Sequence, residues 1–192
     1  MSGTSALGEV LSCLSRGLDR AGVRWYVFGA QAVVVYGEPR LTSDLDVTVE
    51  CPPERARALL ALLADSGLSA RSDDPHGMAE RARVMALIHE PTGTPVDIVL
   101  AGPGLEEEFL ANRRTVEVSG VSVPVISAED LIVGKILAGR GKDLEDVEGI
   151  LREQSDSLDL ERSRHFLLLL EQALGRGDLL PQLERLLERI AG

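Results

Sequence analysis

Asp44 and Asp46 are separated by one residue in the run Leu41-Thr42-Ser43-Asp44-Leu45-Asp46-Val47-Thr48-Val49. The alternation and β-branching of its second half predict a strand, on which residues two apart share a face. Leu45, Val47 and Val49 then point into a core, and the two carboxylates point together the other way. Two ionised carboxylates about 5 Å apart repel by roughly 3 kcal/mol at an effective dielectric near 20. A fold that sets them side by side needs a cation, a shared proton or a basic partner there; the competing reading is a strand face bathed in water. Hard oxygen ligands on one rigid strand suit Mg²⁺ or Mn²⁺.

The surroundings favour the cation. Val23-Arg24-Trp25-Tyr26-Val27-Phe28-Gly29-Ala30 is a β-rich run ending in two small residues, and Gln31 to Gly37 follows as a short helix. Glu38-Pro39-Arg40 makes a turn into the acidic strand. Gly29 and Ala30 at a strand-to-helix turn let backbone amides approach a phosphate, where a helix amino end adds partial positive charge.

Gly29-Ala30, thirteen intervening residues and then Asp44-Leu45-Asp46-Val47 resemble the signature of the DNA polymerase β-like nucleotidyltransferases. In that family a small-residue turn binds the nucleotide's phosphates and an Asp pair binds the metals. Ala30 departs from the usual Gly or Ser but keeps the small volume. Arg40, Thr42 and Ser43 match the Arg and Thr or Ser that many relatives carry just before the pair, so Arg40 and Ser43 are candidate phosphate contacts. The family also needs a third carboxylate on a neighbouring strand. Arg83 to His89 and Val96 to Leu100 read as two strands joined by a Pro- and Gly-containing loop, and Asp97 is the one acid inside the second. A carboxylate in so apolar a strand is costly unless paired or metal-bound.

Downstream, Val125 to Val147 is similar to the segment after the catalytic domain in AbiEii-type nucleotidyltransferases. Ser127 and Asp130 form a capping box that starts a helix. Lys135 then lies two turns in, on the polar side of Leu131, Ile132 and Ile136, and Asp143 and Asp146 open the next helix. The resemblance implies that Lys135 faces the active site. Lys135, Arg140 and Lys142 form a basic island suited to a triphosphate; basic residues complementing a helix dipole are the plainer reading.

The resemblance implies an α+β fold, a polymerase β-like mixed sheet with flanking helices followed by a helical C-terminal part. The expected division is a catalytic domain over residues 1–126 and a helical subdomain over 127–192. Leu7 to Ala21 reads as an amphipathic helix ended by Gly22, Pro52 to Ser66 as another, and Gly104 to Asn112 as a short one. Thr115 to Val118 and Val121 to Ile126 form a hairpin about Ser119-Gly120. From Ser127 the chain is helical, with starts near Ser127, Asp143, Leu158 and Asp178 and breaks at Gly139, Ser155 and Gly175. Phe166 to Leu170 reads as core or as a homodimer face.

The 192 residues can bury a real core, and 44% of them are hydrophobic. No apolar run approaches the eighteen or so residues of a membrane span, and residues 1–8 lack the pattern of a secretory signal. Cys13 and Cys51 have no metal-ligand spacing, so the chain reads as cytoplasmic with reduced thiols. A net charge of −11 argues against broad nucleic-acid binding through the overall field.

These readings converge on Mg²⁺- or Mn²⁺-dependent transfer of an NMP from an NTP to an acceptor hydroxyl. Asp44, Asp46 and Asp97 hold the metal, Gly29 and Ala30 the phosphates, and Lys135 offsets phosphate charge. The acceptor is RNA or protein if the chain is an AbiEii-like toxin, with an antitoxin partner, and a small molecule such as an antibiotic if it is an adenylyltransferase. A non-catalytic antitoxin or binding protein of the same fold is the third reading, and the full acidic trio weighs against it.

Overall fold

The computed structural model describes residues 5–38 and 42–191. The chain forms two compact units, one of Met1–Gln31 with Leu41–Ile126 and one of Ala32–Arg40 with Ser127–Gly192.

The first unit is built on a seven-stranded mixed sheet in the order β3-β4-β5-β2-β1-β7-β6. Its strands are β1 (Trp25–Phe28), β2 (Leu45–Val49), β3 (Leu68–Ala70), β4 (Val84–His89), β5 (Thr94–Leu100), β6 (Arg114–Val118) and β7 (Val121–Val125). β2 runs antiparallel to β1 and parallel to β5, and β7 runs parallel to β1. Two strand pairs form antiparallel hairpins: β4 with β5, and β6 with β7. At the β6–β7 turn both Ser119 (φ 51°) and Gly120 (φ 79°) are left-handed, the geometry a tight hairpin turn demands.

Period-two alternation gives the sheet its core side. Leu45, Val47 and Val49 of β2 and Val96, Ile98 and Leu100 of β5 are at most 1% exposed. Helix α1 (Ala6–Ala21) buries Leu11, Leu14 and Leu18 completely. Ser5 caps its start by accepting from Gly8 N, and Gly22 ends it at φ 64°. Each such leucine contributes about 1.5–3 kcal/mol by leaving water. Helices α3 (Ala56–Ala64), α4 (Pro75–Ala82) and α5 (Leu105–Asn112) complete this unit, and α2 (Gly29–Tyr36) carries the chain from it into the second.

The second unit contains α6 (Ala128–Ala138), α7 (Gly141–Glu153), α8 (Leu160–Leu174) and α9 (Leu179–Ala191). Left-handed Gly139 and Gly175 end α6 and α8. At the start of α6, Ser127 Oγ accepts from Asp130 N at 3.2 Å. The carboxylate of Asp130, fully buried, accepts from Arg162 Nε at 2.8 Å and Nη2 at 3.2 Å, pinning α6 to α8. Gly37, which follows α2, lies so close to α7 that a Cβ there would meet Ile150 N at 3.1 Å. In α8, Phe166 and Leu167 are buried while Leu168 and Leu169 are 44% exposed. Among the described residues no helix is long and apolar enough to cross a membrane.

Two elements add to the sequence reading. The chain between Gly67 and Arg83, which the sequence leaves unassigned, forms β3 at the sheet edge and then α4. Asp74 caps α4 by accepting from Gly77 N, and Pro75 stands in its first turn. The final helices also start slightly off the expected residues, α7 at Gly141 and α8 at Leu160.

Candidate active site

The register of the first unit brings two of the expected acids together. Asp46 and Asp97 are direct partners on the parallel neighbours β2 and β5. Register partners on adjacent strands share a face, with the strands about 4.8 Å apart. Both lie opposite the buried positions of their strands and keep partial access to water. Asp44 immediately precedes β2.

Each acid is held by its surroundings. Thr42 Oγ1 donates to Asp44 Oδ1 at 2.6 Å, so the threonine of the loop, rather than the exposed Ser43, contacts this carboxylate. Asp46 packs on Gly29, the first residue of α2: a Cβ on Gly29 would fall 2.0 Å from Asp46 Oδ2. Gly29 also has φ +65°, a conformation that disfavours any residue with a side chain. Two independent constraints therefore select glycine here. Ala30 is 6% exposed.

Asp97 has a partner that the sequence reading does not anticipate. Arg71, just past β3, donates from Nη2 to Asp97 Oδ1. Its guanidinium is aimed by the backbone, with Nε donating to Leu87 O at 2.8 Å and Arg71 N to Ala86 O at 2.8 Å. The two side chains are 36% and 38% exposed. The isolated acid of β5 is thus satisfied by an arginine reaching across β4. Arg71 escapes notice in the sequence because the three-residue strand before it, Leu68–Ala70, has no readable period.

Lys135 occupies a different environment from the polar flank the sequence suggests. Its side chain is 7% exposed, and Nζ donates to Asp146 Oδ2 at 2.6 Å and Asp143 Oδ1 at 3.3 Å. Arg140 Nε donates to the other oxygen of Asp143 at 2.5 Å. Burial pushes the Asp143 carboxyl up, and the Arg140 guanidinium and Lys135 ammonium more than reverse this, holding it below its ordinary value of 3.8. The basic island of the sequence is therefore answered, for Lys135 and Arg140, by acids of α7. Arg40 lies outside the described residues.

The trio's chemistry fits a divalent cation: three carboxylates supply hard oxygen donors, two of them in register on adjacent strands. Among the described residues, however, no three His, Cys, Asp or Glu side chains are gathered into a ready-made metal cage.

The family described as "Nucleotidyltransferase of unknown function (DUF6036)" matches residues 6–168. No curated protein matches the chain. Among solved structures, the chain is similar to the antibiotic-resistance factor ANT(2'')-Ia in solution, at 14% identity and TM-score 0.59, covering 88% of this chain and 94% of that one. An antigenic nucleotidyltransferase-like protein from Paracoccidioides brasiliensis matches at 20% identity and TM-score 0.54, over 90% of this chain and 91% of the other. The lincosamide antibiotic adenylyltransferase LnuA, solved with lincomycin bound, matches at 15% identity and TM-score 0.51, over 77% and 98% respectively. At these identities the structural likeness establishes the fold.

Proposed function

The chain belongs to this family of nucleotidyltransferases, and from that premise we propose that it moves an NMP from an NTP to an acceptor hydroxyl at Asp44, Asp46 and Asp97. The observation that carries this reading is the pairing of Asp46 with Asp97 across β2 and β5, with Gly29 pressed against Asp46 at the start of α2. Asp44, Asp46 and Asp97 are the residues that would hold Mg²⁺ or Mn²⁺. When bound, such an ion supplies charge neutralisation on the leaving pyrophosphate and a lowered pKa at the acceptor hydroxyl.

The chain's own groups do the rest. Backbone amides at Gly29 and Ala30, at the amino end of α2, orient the phosphates. Ser43, exposed on the loop entering β2, and Arg40 are assigned to the same task. Asp97 accepts the proton of the attacking hydroxyl. The new bond joins that oxygen to the α-phosphorus, and the α–β bridging bond breaks with its electron pair leaving on pyrophosphate.

For the acceptor, a small hydroxylated molecule is favoured by the antibiotic adenylyltransferases among the structural relatives. The AbiEii-like reading, with RNA or protein as acceptor and an antitoxin as partner, rests on the Val125 to Val147 segment.

The test is transfer of label from α-labelled NTPs, with Mg²⁺, to total RNA, to lysate protein and to aminoglycoside and lincosamide panels. Wild type should label one acceptor class, and Asp46→Asn should lower the rate by roughly a hundredfold, as loss of a charged ligand does. Equal rates for the two proteins would exclude the acidic trio as the reaction centre.

A further inference from the structure

One row of residues crosses the sheet and ends in an arginine. Phe28 of β1 faces Asp46 of β2, Asp46 faces Asp97 of β5, and Asp97 faces Ala86 of β4. Arg71 N donates to Ala86 O at 2.8 Å, which extends the β3–β4 ladder past the Ala70–Leu87 pair and puts Arg71 at the end of the row. Register partners share a face, so Ala86 is the side chain that stands between Arg71 and Asp97. Two strand spacings come to about 10 Å, a span that an arginine bridges only by lying over the strand between. The methyl group of Ala86 leaves that path low; a side chain the size of Val84 or Ile88, its neighbours two positions away on β4, would close it. Arg71 Nε donates to Leu87 O at 2.8 Å and Nη2 to Asp97 Oδ1, so one planar group makes both bonds and its tilt is fixed at two points.

We propose that Arg71 is a positioning residue: it crosses β4 over Ala86 and holds the Asp97 carboxylate in one rotamer, gripping Oδ1 so that Oδ2 takes the acceptor's proton. This rests on the reading of Asp97 as the proton acceptor of the transfer. Asp97 and Ala86 both lie on the half-open face of the sheet, where an untethered aspartate side chain exchanges among its staggered rotamers. A base works only within hydrogen-bond reach of the proton it removes, so that exchange would take it out of position for part of the time. The pair is too exposed, at 36% and 38%, to contribute much to stability. Its consequence falls on orientation instead, because a charge-assisted bond from a donor with its own backbone anchor is directional.

The experiment compares the full chain with its variants Arg71→Gln, Ala86→Ile, Asp97→Asn and the double variant Arg71→Gln/Asp97→Asn. Scalar couplings to the Asp97 carboxyl carbon, measured by NMR on isotope-labelled protein, report its χ1. Steady-state NMP transfer from NTP to the acceptor that wild type labels gives kcat and KM, and thermal melts report folding. Wild type should show the couplings of a single rotamer, and Arg71→Gln and Ala86→Ile averaged ones. Both variants should lose about ten- to a hundredfold in kcat, as slight misplacement of a reacting group does. KM for NTP should stay unchanged and Tm should stay within about three degrees of wild type. In the Asp97→Asn background Arg71→Gln should cost nothing more, since Arg71 acts through Asp97. A single rotamer or an unchanged kcat in both Arg71→Gln and Ala86→Ile would overturn the proposal, as would a full further loss in the double variant. Should Arg71→Gln fail to fold, Ala86→Ile decides, because it keeps the arginine and blocks only its path. An Asp97→Asn protein as fast as wild type, or no transfer by wild type to any acceptor, would instead remove the reading of Asp97 itself, and this proposal with it.

Discussion

Gly29 shows most directly how one residue type sets the geometry of the site. It carries a left-handed φ and leaves no room for a Cβ beside the Asp46 carboxylate. Gly22 has nearly the same φ, +64°, but nothing within 4 Å of where its Cβ would stand. The two glycines therefore separate backbone strain from crowding. Gly22→Ala should cost only the left-handed penalty, about 1–2 kcal/mol. Gly29→Ala should cost that and also drive Asp46 out of place, lowering Mn²⁺ affinity and NMP transfer. Chemical denaturation of both variants with Mn²⁺ titration checks this. Equal stability losses and unchanged metal binding in Gly29→Ala would mean that the contact with Asp46 has no consequence.

At the scale of elements, α6 and α7 are joined by a buried lysine between two carboxylates, and this arrangement makes a forecast opposite to that of a phosphate-binding lysine. Lys135→Ala would leave Asp143 and Asp146, both at most 8% exposed, without their ammonium. Removing one partner of a buried pair costs about 3–5 kcal/mol, a fall of roughly ten degrees or more in Tm for a chain of this size. A variant that instead melts within two or three degrees of wild type, with weakened NTP binding, would favour the phosphate role.

The same helices show what sequence can and cannot convey. The caps Ser127, Gly139 and Gly175 are local and were readable, as were the alternation of β2 and β5 and the hairpin at Ser119-Gly120. The side of α6 on which a lysine is welcome was not, because it depends on Asp143 and Asp146 folding back from α7. The acidic pair and the strand acid Asp97 stood out as residue types, but Arg71 did not, since its place beside Asp97 arises from strand order β3-β4-β5 rather than from spacing. Helix α4 had a legible start in Asp74-Pro75, but its few apolar residues leave no periodic stripe.

For the whole molecule, the distribution of shifted groups fixes how stability changes with pH. His89 lies buried in the sheet, its Nδ1 2.8 Å from Thr92 Oγ1. Burial is the main cause that lowers its pKa below the ordinary 6.5; Glu9 works against this and Arg16 with it. Below 6.5 the unfolded chain therefore binds a proton that the folded chain resists, so stability is complete above that pH and falls as pH drops through the folded value. Asp143 acts in the same direction further into acid. Its pKa is held below 3.8, so the stability it contributes is present above that pH and is lost as pH falls through the lower folded value. Glu50 and Glu184, held below their ordinary 4.5 by hydrogen bonds from Arg24 and Arg164, act in the same direction, so melting temperature should decline in two stages from neutral pH, the first beginning near 6.5 and the second below about 4.5. Acidification also reduces a net charge of −11, and relief of self-repulsion opposes the decline, more weakly at high salt. The measurement is Tm against pH at fixed, high ionic strength for wild type and His89→Gln. In the variant the first stage should vanish while the second persists, because glutamine keeps a polar group near Thr92 and carries no titrating proton. A first stage of undiminished size in His89→Gln would assign the loss to other groups.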